Sequence, residues 1–427
     1  MIKNLKSIDG FFNQKIDIIN FSNIKKKIFN NYNTILGEGN SISQLPFLKK
    51  TKTIKLTNVD SFFLDKKNEE ITVNGNSKIV DVHNFLLKKK YYCHYFPSYP
   101  SVTIGGCIAN GTHGIIPKNG IFTDFVIEIK IFNPNFGTKI LSNSKNKELF
   151  ELTKCGLGLT GIILEAKIKI FKLRSTKVLI KGYDFKNLFQ CYEFIKKSRS
   201  FYNQNTFTVD YRNKNIFSGR LLTGSFYGKK YVYRKIKDKK IFSLRLGLFK
   251  YNLIKNIIFN FNFFLDKVLT FAMKTKHIND VLYTSNNKTS YFNLMPNKFI
   301  EYQNIIPNKN VKIYLNEFEK ILCEHEPKIA LVHLKQFGQN GKNFEFKKKG
   351  LAIAMHIIVD NNFNLFYKKL THLDYKYDCL INLYKNSLID VAFLKKFYPN
   401  YFYIFKSKIS KINKVYKFTN SIFKKNF

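Results

Sequence analysis

Between Ser101 and Gly114 the chain reads Ser-Val-Thr-Ile-Gly-Gly-Cys-Ile-Ala-Asn-Gly-Thr-His-Gly. Gly105, Gly106, Gly111 and Gly114 within one short stretch carry no Cβ, so the backbone there is free to adopt φ > 0. What such a stretch can do is bring backbone close to a ligand. Its exposed N–H groups, in a turn opening into an apolar helix at Cys107-Ile108-Ala109, make a natural pyrophosphate cradle. The segment lacks the strand, tight turn and later ribose-binding acid of a GxGxxG fingerprint, and no GK[ST] follows it, so neither common nucleotide loop applies.

Two more glycine turns flank it: Gly37-Glu-Gly-Asn-Ser after the short apolar run from Asn33, and Gly156-Leu-Gly-Leu-Thr-Gly-Ile-Ile before a strand. Short alternating runs (Thr53–Leu56, Glu70–Val73, Phe125–Phe132, Gly161–Phe171) read as strands, and Ile79–Lys90 and Asn146–Thr153 as helices. Beyond about Ser175 the strands and helices lengthen, with a helix at Asn316–Glu324, buried strands at Lys328–Phe337 and Leu351–Asp360, and a helix at Leu365–His372. The expected fold class is α+β. The expected division is a cofactor domain at 1–173, a substrate or cap domain with an antiparallel sheet at 174–379, and a segment at 380–427 that returns to the first domain.

The three glycine turns, in this order, resemble those of the vanillyl-alcohol-oxidase flavoproteins, which carry a two-subdomain FAD-binding domain of the PCMH type. Within that superfamily the chain looks most like the decaprenylphosphoryl-ribose 2-oxidases, and next like the sugar-1,4-lactone oxidases. Phe299-Ile-Glu-Tyr-Gln303, Leu334-Lys-Gln-Phe-Gly338, Leu383-Tyr-Lys385 and Phe397-Tyr-Pro-Asn400 follow the first subgroup's pattern. The resemblance implies FAD held by Gly37, Gly39, Asn40 and Ser41 from the first turn. From the second it implies Thr103, Ile104, Gly105, Gly106, Asn110 and His113, and from the third Gly158, Thr160, Gly161 and Ile163. Lactone oxidases often carry a flavinylated His where this chain has Asn40; an amide cannot form that bond, so the expected FAD is noncovalent. The subgroup's Tyr in the first turn is Ile42 here, and its Asn in the third is Leu157.

Oxidation of a secondary alcohol by a flavin needs a group that orients the hydroxyl and handles its proton. The resemblance puts Lys385 and His113 in that catalytic role. Gln303, Lys335 and Lys385 are the expected substrate contacts, Lys335 because a lysine inside the apolar run Ile329–Phe337 needs an anionic partner such as a phosphate. The expected substrate is a glycosyl-phosphate lipid, a polyprenyl-phosphate-linked pentose, oxidised to a keto sugar. In the family a short-chain reductase then completes an epimerisation, and it is the expected partner. The alternatives are an aldonolactone oxidase and a catalytically degenerate flavin-fold protein of the cell envelope.

Charge bears on partners. Lys+Arg is 72 against Asp+Glu 29, a formal net charge of +43, yet only 6 of the basic residues are Arg. Phosphate-gripping proteins favour Arg, so nucleic acid is not an expected partner. Six scattered cysteines without a CxxC argue for a reducing cytosol and against a metal site or a disulfide framework. The N-terminus lacks a signal peptide's apolar core. The segment 247–273 has apolar residues at helical spacing, but Lys, Asn and Asp interrupt it, so it is expected to lie on a bilayer or in a core and not to span. The expected location is cytoplasmic, with peripheral contact at the inner membrane face.

Overall fold

The structure, a computed structural model, describes all residues except 1, 22–28, 30–31, 44–47, 49–50, 58–60, 199, 240–244, 288–289, 343, 416 and 424–427. The last residues of the segment 380–427 thus lie outside the described residues.

The N-terminal half supplies two small sheets. Strands β1 (Ile2–Lys6), β2 (Asn13–Phe21), β3 (Tyr32–Ile35) and β4 (Lys52–Leu56) assemble in the order β1-β2-β4-β3. Pairing is antiparallel between β1 and β2 and parallel thereafter. Strands β5 (Phe62–Asp65) and β6 (Glu70–Asn74) begin the second sheet, followed by α1 (Ile79–Lys88), β7 (Tyr91–Tyr92) and α2 (Ile104–Asn110). Then come β8 (Val126–Asn133), β9 (Gly137–Ser142), α3 (Lys147–Thr153), β10 (Ile162–Lys169) and β11 (Phe171–Lys172). The second sheet runs β5-β6-β10-β8-β9, antiparallel throughout. Helix α1 forms because Ile79, Val80, Val82, His83, Leu86 and Leu87 recur at helical spacing, and all are buried against this sheet's core.

The second half begins with β12 (Lys177–Phe185), α4 (Leu188–Lys197), β13 (Tyr202–Val209) and β14 (Phe217–Phe226). It continues through α5 (Asn252–Met273), β15 (Thr275–His277), α6 (Ile278–Leu282), α7 (Thr284–Asn287), α8 (Tyr291–Leu294) and β16 (Phe299–Pro307). After these come α9 (Val311–His325), β17 (Ile329–Phe337), β18 (Gly350–Ile358), α10 (Phe363–Lys376) and β19 (Leu380–Ile381). Helices α11 (Val391–Phe397) and α12 (Pro399–Ile412) and strand β20 (Lys417–Phe418) close the chain. Eight strands form one sheet in the order β15-β12-β14-β13-β17-β18-β16-β19.

In this sheet β16 and β18 are buried along their whole length, as central strands covered on both faces must be. One face carries Tyr302 and Asn304, which meet Asp374 of α10 and Tyr314 of α9 in a buried hydrogen-bonded cluster. Burial pushes the Asp374 carboxyl up to about 6. The other face is turned toward the FAD-type half.

The two halves are tied at several points. β20 pairs in parallel with β3, so the chain end completes the first sheet. An extended strap from the second half lies over α1, where Asn84 and the Ile236 backbone exchange two hydrogen bonds of 2.9 Å. Two strands are shorter than their apolar patterns suggest: Tyr91–Tyr95 pairs only at Tyr91–Tyr92, and Cys379–Tyr384 only at Leu380–Ile381. In both cases the chain then turns away from the ladder to build the walls of a cavity.

Candidate active site

A cavity of about 350 Å³ opens between the halves. The turn after β3 (Leu36–Ile42), the end of β4, the Thr103–His113 segment, the Leu157–Ile163 turn and Thr419–Asn420 after β20 form its floor. Parallel strands present their carboxyl-end loops together, so the first sheet aims its turns into one crevice. The far wall is the free face of the large sheet. Register explains which residues reach it: Glu301 pairs with His356, and Gln303 with Ala354. His333 also pairs with Ala354, and Lys335 with Ala352. Directly paired residues share a face and alternate residues along a strand do too. Glu301, Gln303, His333, Lys335 and His356 therefore all face the cavity, and the two small alanines between them leave room.

The glycine turns fit a dinucleotide. Thr103 caps α2, its hydroxyl accepting from the Gly106 amide at 3.2 Å. At Gly105 a Cβ would lie 2.9 Å from the Gly75 carbonyl oxygen, so this close crossing admits only glycine. Gly161 has φ of 137°, and a Cβ there would sit 2.5 Å from the Phe132 carbonyl oxygen. The amides of Glu38, Gly39, Asn40 and Ser41 have no acceptor among the described residues, which leaves a row of donors facing the cavity. The chain thus provides the close backbone approach and free donors that a pyrophosphate needs. Leu157, where the subgroup has Asn, adopts φ of 53°, and bonds from its N–H to Ala109 and from Asn420 to its carbonyl hold it there.

Two polar chains occupy the wall. In the first, Asn382 donates to Gln303 Oε1 at 2.9 Å, which leaves the Gln303 amide nitrogen to donate to His113 Nε2 at 3.0 Å. His113 Nδ1 in turn donates to the Gly114 carbonyl at 2.8 Å. This assigns a neutral imidazole. Burial, with the Lys335 and Lys385 charges, pushes His113 down to about 3.

In the second chain, Lys385 Nζ lies 2.6 Å from Glu301 Oε1. Glu301 Oε2 lies 3.6 Å from His356 Nε2, and His356 Nδ1 is 2.8 Å from the Tyr291 hydroxyl. Burial alone would raise the Glu301 carboxyl, but Lys385 and His356 outweigh it and hold the group well below the usual carboxylate range. Lys335 differs. Its ammonium has no hydrogen bond or ion pair among the described residues, and burial together with Lys385 pushes it down to about 8.

Of the residues expected from sequence, Gly37, Gly39, Asn40, Ser41, Thr103, Gly105, Gly106, Asn110, His113, Gly158, Gly161 and Ile163 all line this cavity, as do Gln303, Lys335 and Lys385. Ile104 and Thr160 do not. Ile104 points into the core beneath α2, fully buried, because the Thr103 cap turns the next side chain inward. Thr160 lies behind its turn, with its carbonyl accepting from Asn133. Asn40 donates its side-chain amide to the Ser101 carbonyl at 2.7 Å, linking the first and second turns. His113 touches the cavity, but with both ring nitrogens engaged it is placed to position Gln303. Glu301, His356, Asn382 and Tyr291 escaped the sequence reading. For Glu301 a signal existed: in Phe-Ile-Glu-Tyr-Gln it stands two residues before Gln303, hence on the same face.

Residues 28–138 match the family described as FAD binding domain. The chain is 28% identical to a D-arabinono-1,4-lactone oxidase of Candida glabrata over 140 residues, 32% of this chain and 26% of that protein. It is 26% identical to the Saccharomyces cerevisiae D-arabinono-1,4-lactone oxidase over 31% of this chain and 25% of the relative. It is also 29% identical to the mitochondrial L-galactono-1,4-lactone dehydrogenase 1 of Oryza sativa subsp. japonica, over 31% of this chain and 23% of the relative. The matched stretch spans about a quarter of these relatives' own length. The cofactor is FAD, carried by an α+β fold of the PCMH type, and the similarity runs to sugar-1,4-lactone oxidases.

Proposed function

We propose that this chain is an FAD-dependent oxidoreductase that oxidises a CH–OH group of a sugar-derived substrate, an aldono-1,4-lactone in the first instance. The observation that carries the reading is the Lys385–Glu301 pair on the cavity wall facing the three glycine turns. Bound FAD supplies the two-electron acceptor. Gly37, Gly39 and Ser41, Thr103, Gly105, Gly106 and Asn110, and Gly158 and Ile163 would hold it. Glu301 fixes the Lys385 ammonium, which orients the substrate hydroxyl and stabilises negative charge on its oxygen. Gln303, locked by His113 and Asn382, presents its amide edge beside it. His333 and Asn203 border the same space, and the Asn203 side-chain carbonyl is buried without a partner there. The lactone reading is supported by the similarity to lactone oxidases.

Lys335 favours a second reading, a glycosyl phosphate such as a polyprenyl-phosphate pentose. A desolvated ammonium without a carboxylate partner suits a phosphate better than a neutral ring. In that case a short-chain reductase acting on the keto product would complete an epimerisation.

One experiment separates the readings. The flavin-loaded protein is mixed anaerobically with aldono-1,4-lactones and with glycosyl phosphates, and bleaching of the flavin band is followed. Bleaching by lactones supports the first reading, and bleaching by glycosyl phosphates alone supports the second. If neither class bleaches the flavin, both fail. Because Lys335 loses its charge as pH rises through about 8, glycosyl-phosphate affinity should fall above that pH, and Lys335→Met should remove the dependence.

A further inference from the structure

Helix α5 is anchored on one side and bare on the other. Lys255 is buried beneath it and donates to the Val209 and Ile329 carbonyls at 3.0 and 3.1 Å. Asn256 donates to Asp210 at 3.0 Å, and Lys267 pairs with Asp184 at 2.9 Å. Ile258, Phe259 and Phe263 pack into a cluster with Phe249, Met295 and Phe299. The outer face is a different matter. Leu253, Ile257, Phe261, Phe264, Val268 and Phe271 recur at intervals of three and four, which places them along one stripe. Leu253 is 64% exposed, Phe261 60%, Phe264 61% and Phe271 85%. From Leu253 to Phe271 the stripe runs roughly 27 Å along the helix. Apolar surface of that extent on a folded protein marks a docking face.

The occupant follows from charge and length. Exposed Lys250 and Lys274 bracket the helix, whose one carboxylate, Asp266, is half-buried. The whole chain carries a formal charge of +43, so a second copy would meet strong repulsion while an anionic surface is attracted. Among the described residues no helix is long and apolar enough to cross a membrane. An amphipathic helix with an aromatic-rich stripe and flanking lysines instead lies in the plane of the bilayer interface. We propose that α5 is a peripheral membrane-docking helix that seats its outer face in a bilayer rich in anionic lipid. The cluster under the helix also contains Ile8, Ile42 and Phe292, which line the cavity, so the inner face of the helix and the active site share one apolar wall.

The test uses the full flavin-loaded chain with vesicles of equal parts phosphatidylglycerol and phosphatidylcholine, and with vesicles of phosphatidylcholine alone. Co-sedimentation is expected with the anionic vesicles. The double variant Phe261→Ser/Phe264→Ser, checked for retained flavin colour, should bind them about tenfold more weakly. The chain has no Trp, so Phe271→Trp introduces a single emitter on the stripe. Its fluorescence should shift to the blue with anionic vesicles, and the shift should vanish in the double-Ser background. Unchanged vesicle binding by the double variant would overturn the proposal, because charge alone would then explain it. Concentration-dependent self-association that the double variant abolishes, with no vesicle binding, would also overturn it, by assigning the face to a second copy. Neither outcome depends on which substrate bleaches the flavin.

Discussion

Lys385 and Glu301 show how a surface-type residue becomes part of a site. Lysine is ordinarily solvated, yet here it meets a carboxylate that is nearly inaccessible, with a side-chain exposure of 9%. The depressed carboxyl means that the pair contributes stability above Glu301's ordinary range near 4.5, and that this contribution is lost as pH falls through the lowered folded-state value. Lys385→Ala should therefore retain FAD, since no glycine turn is touched, and slow flavin reduction by ~10²–10³, about 2.7–4 kcal/mol of barrier. It should also destabilise the protein at neutral pH by roughly 3–5 kcal/mol, because it strands a buried charge. Stopped-flow reduction and thermal melts at neutral and acidic pH check both parts. A stability difference from wild type that fails to narrow in acid would show that the pair is not the cause. The Lys385 motif was legible in sequence; its partner was not, because Glu301 lies 84 positions away and only the fold joins them.

At the scale of elements, the join between β13 and β17 controls the cavity. These neighbours share a single ladder pair, Phe207 with Val332. Beside it the Asn205 side chain takes over the backbone's role, donating to the Leu334 carbonyl at 2.8 Å and accepting from the Leu334 amide at 2.6 Å. The ladder opens beside this place while the Leu334 backbone groups stay paired, and Asn203–Asn205 and His333–Lys335 line the opening. Asn205→Ala should lower stability by about 1–3 kcal/mol for each buried group left unpaired. It should also raise KM more than it lowers kcat, since the wall moves while Lys385 stays with Glu301. Thermal melting and steady-state kinetics on whichever substrate bleaches the flavin test this. A KM equal to wild type would place the gap outside the substrate's reach. Helix α5 was readable from periodicity alone, but its orientation was not: apolar residues lie on both sides, more of them on the exposed one, and buried Lys255 anchors the packed side.

For the whole molecule, the returning chain is one of several ties between the two halves. β20 joins the first sheet, and Thr419 and Asn420 then finish the cofactor cavity. FAD at such a seam is expected to be noncovalent. Asn40 is an amide already bonded to Ser101, His113 has both nitrogens occupied, and burial pushes the Cys107 thiol up to about 12, far from a thiolate. Acid precipitation should release all yellow chromophore into the supernatant; colour that stays with the denatured chain would contradict this.

The amino-acid sequence alone determined the cofactor loops, because a backbone that must cross another backbone, as Gly105 crosses Gly75, or adopt the φ of Gly161 leaves glycine as the tolerable residue and so marks itself in one dimension. It also carried the periodicities of α1 and α5, which are local consequences of what each face touches. Tertiary structure decided the rest. That Ile104 turns inward while Thr103 faces the cavity depends on the cap of one short helix. That Glu301 holds Lys385, that Gln303 is locked between His113 and Asn382, and that Lys335 has no hydrogen bond or ion pair among the described residues are facts of pairing across a sheet whose strands are distant in sequence. Burial converts such pairings into shifted protonation, and burial belongs to the folded chain, not to the order of its residues.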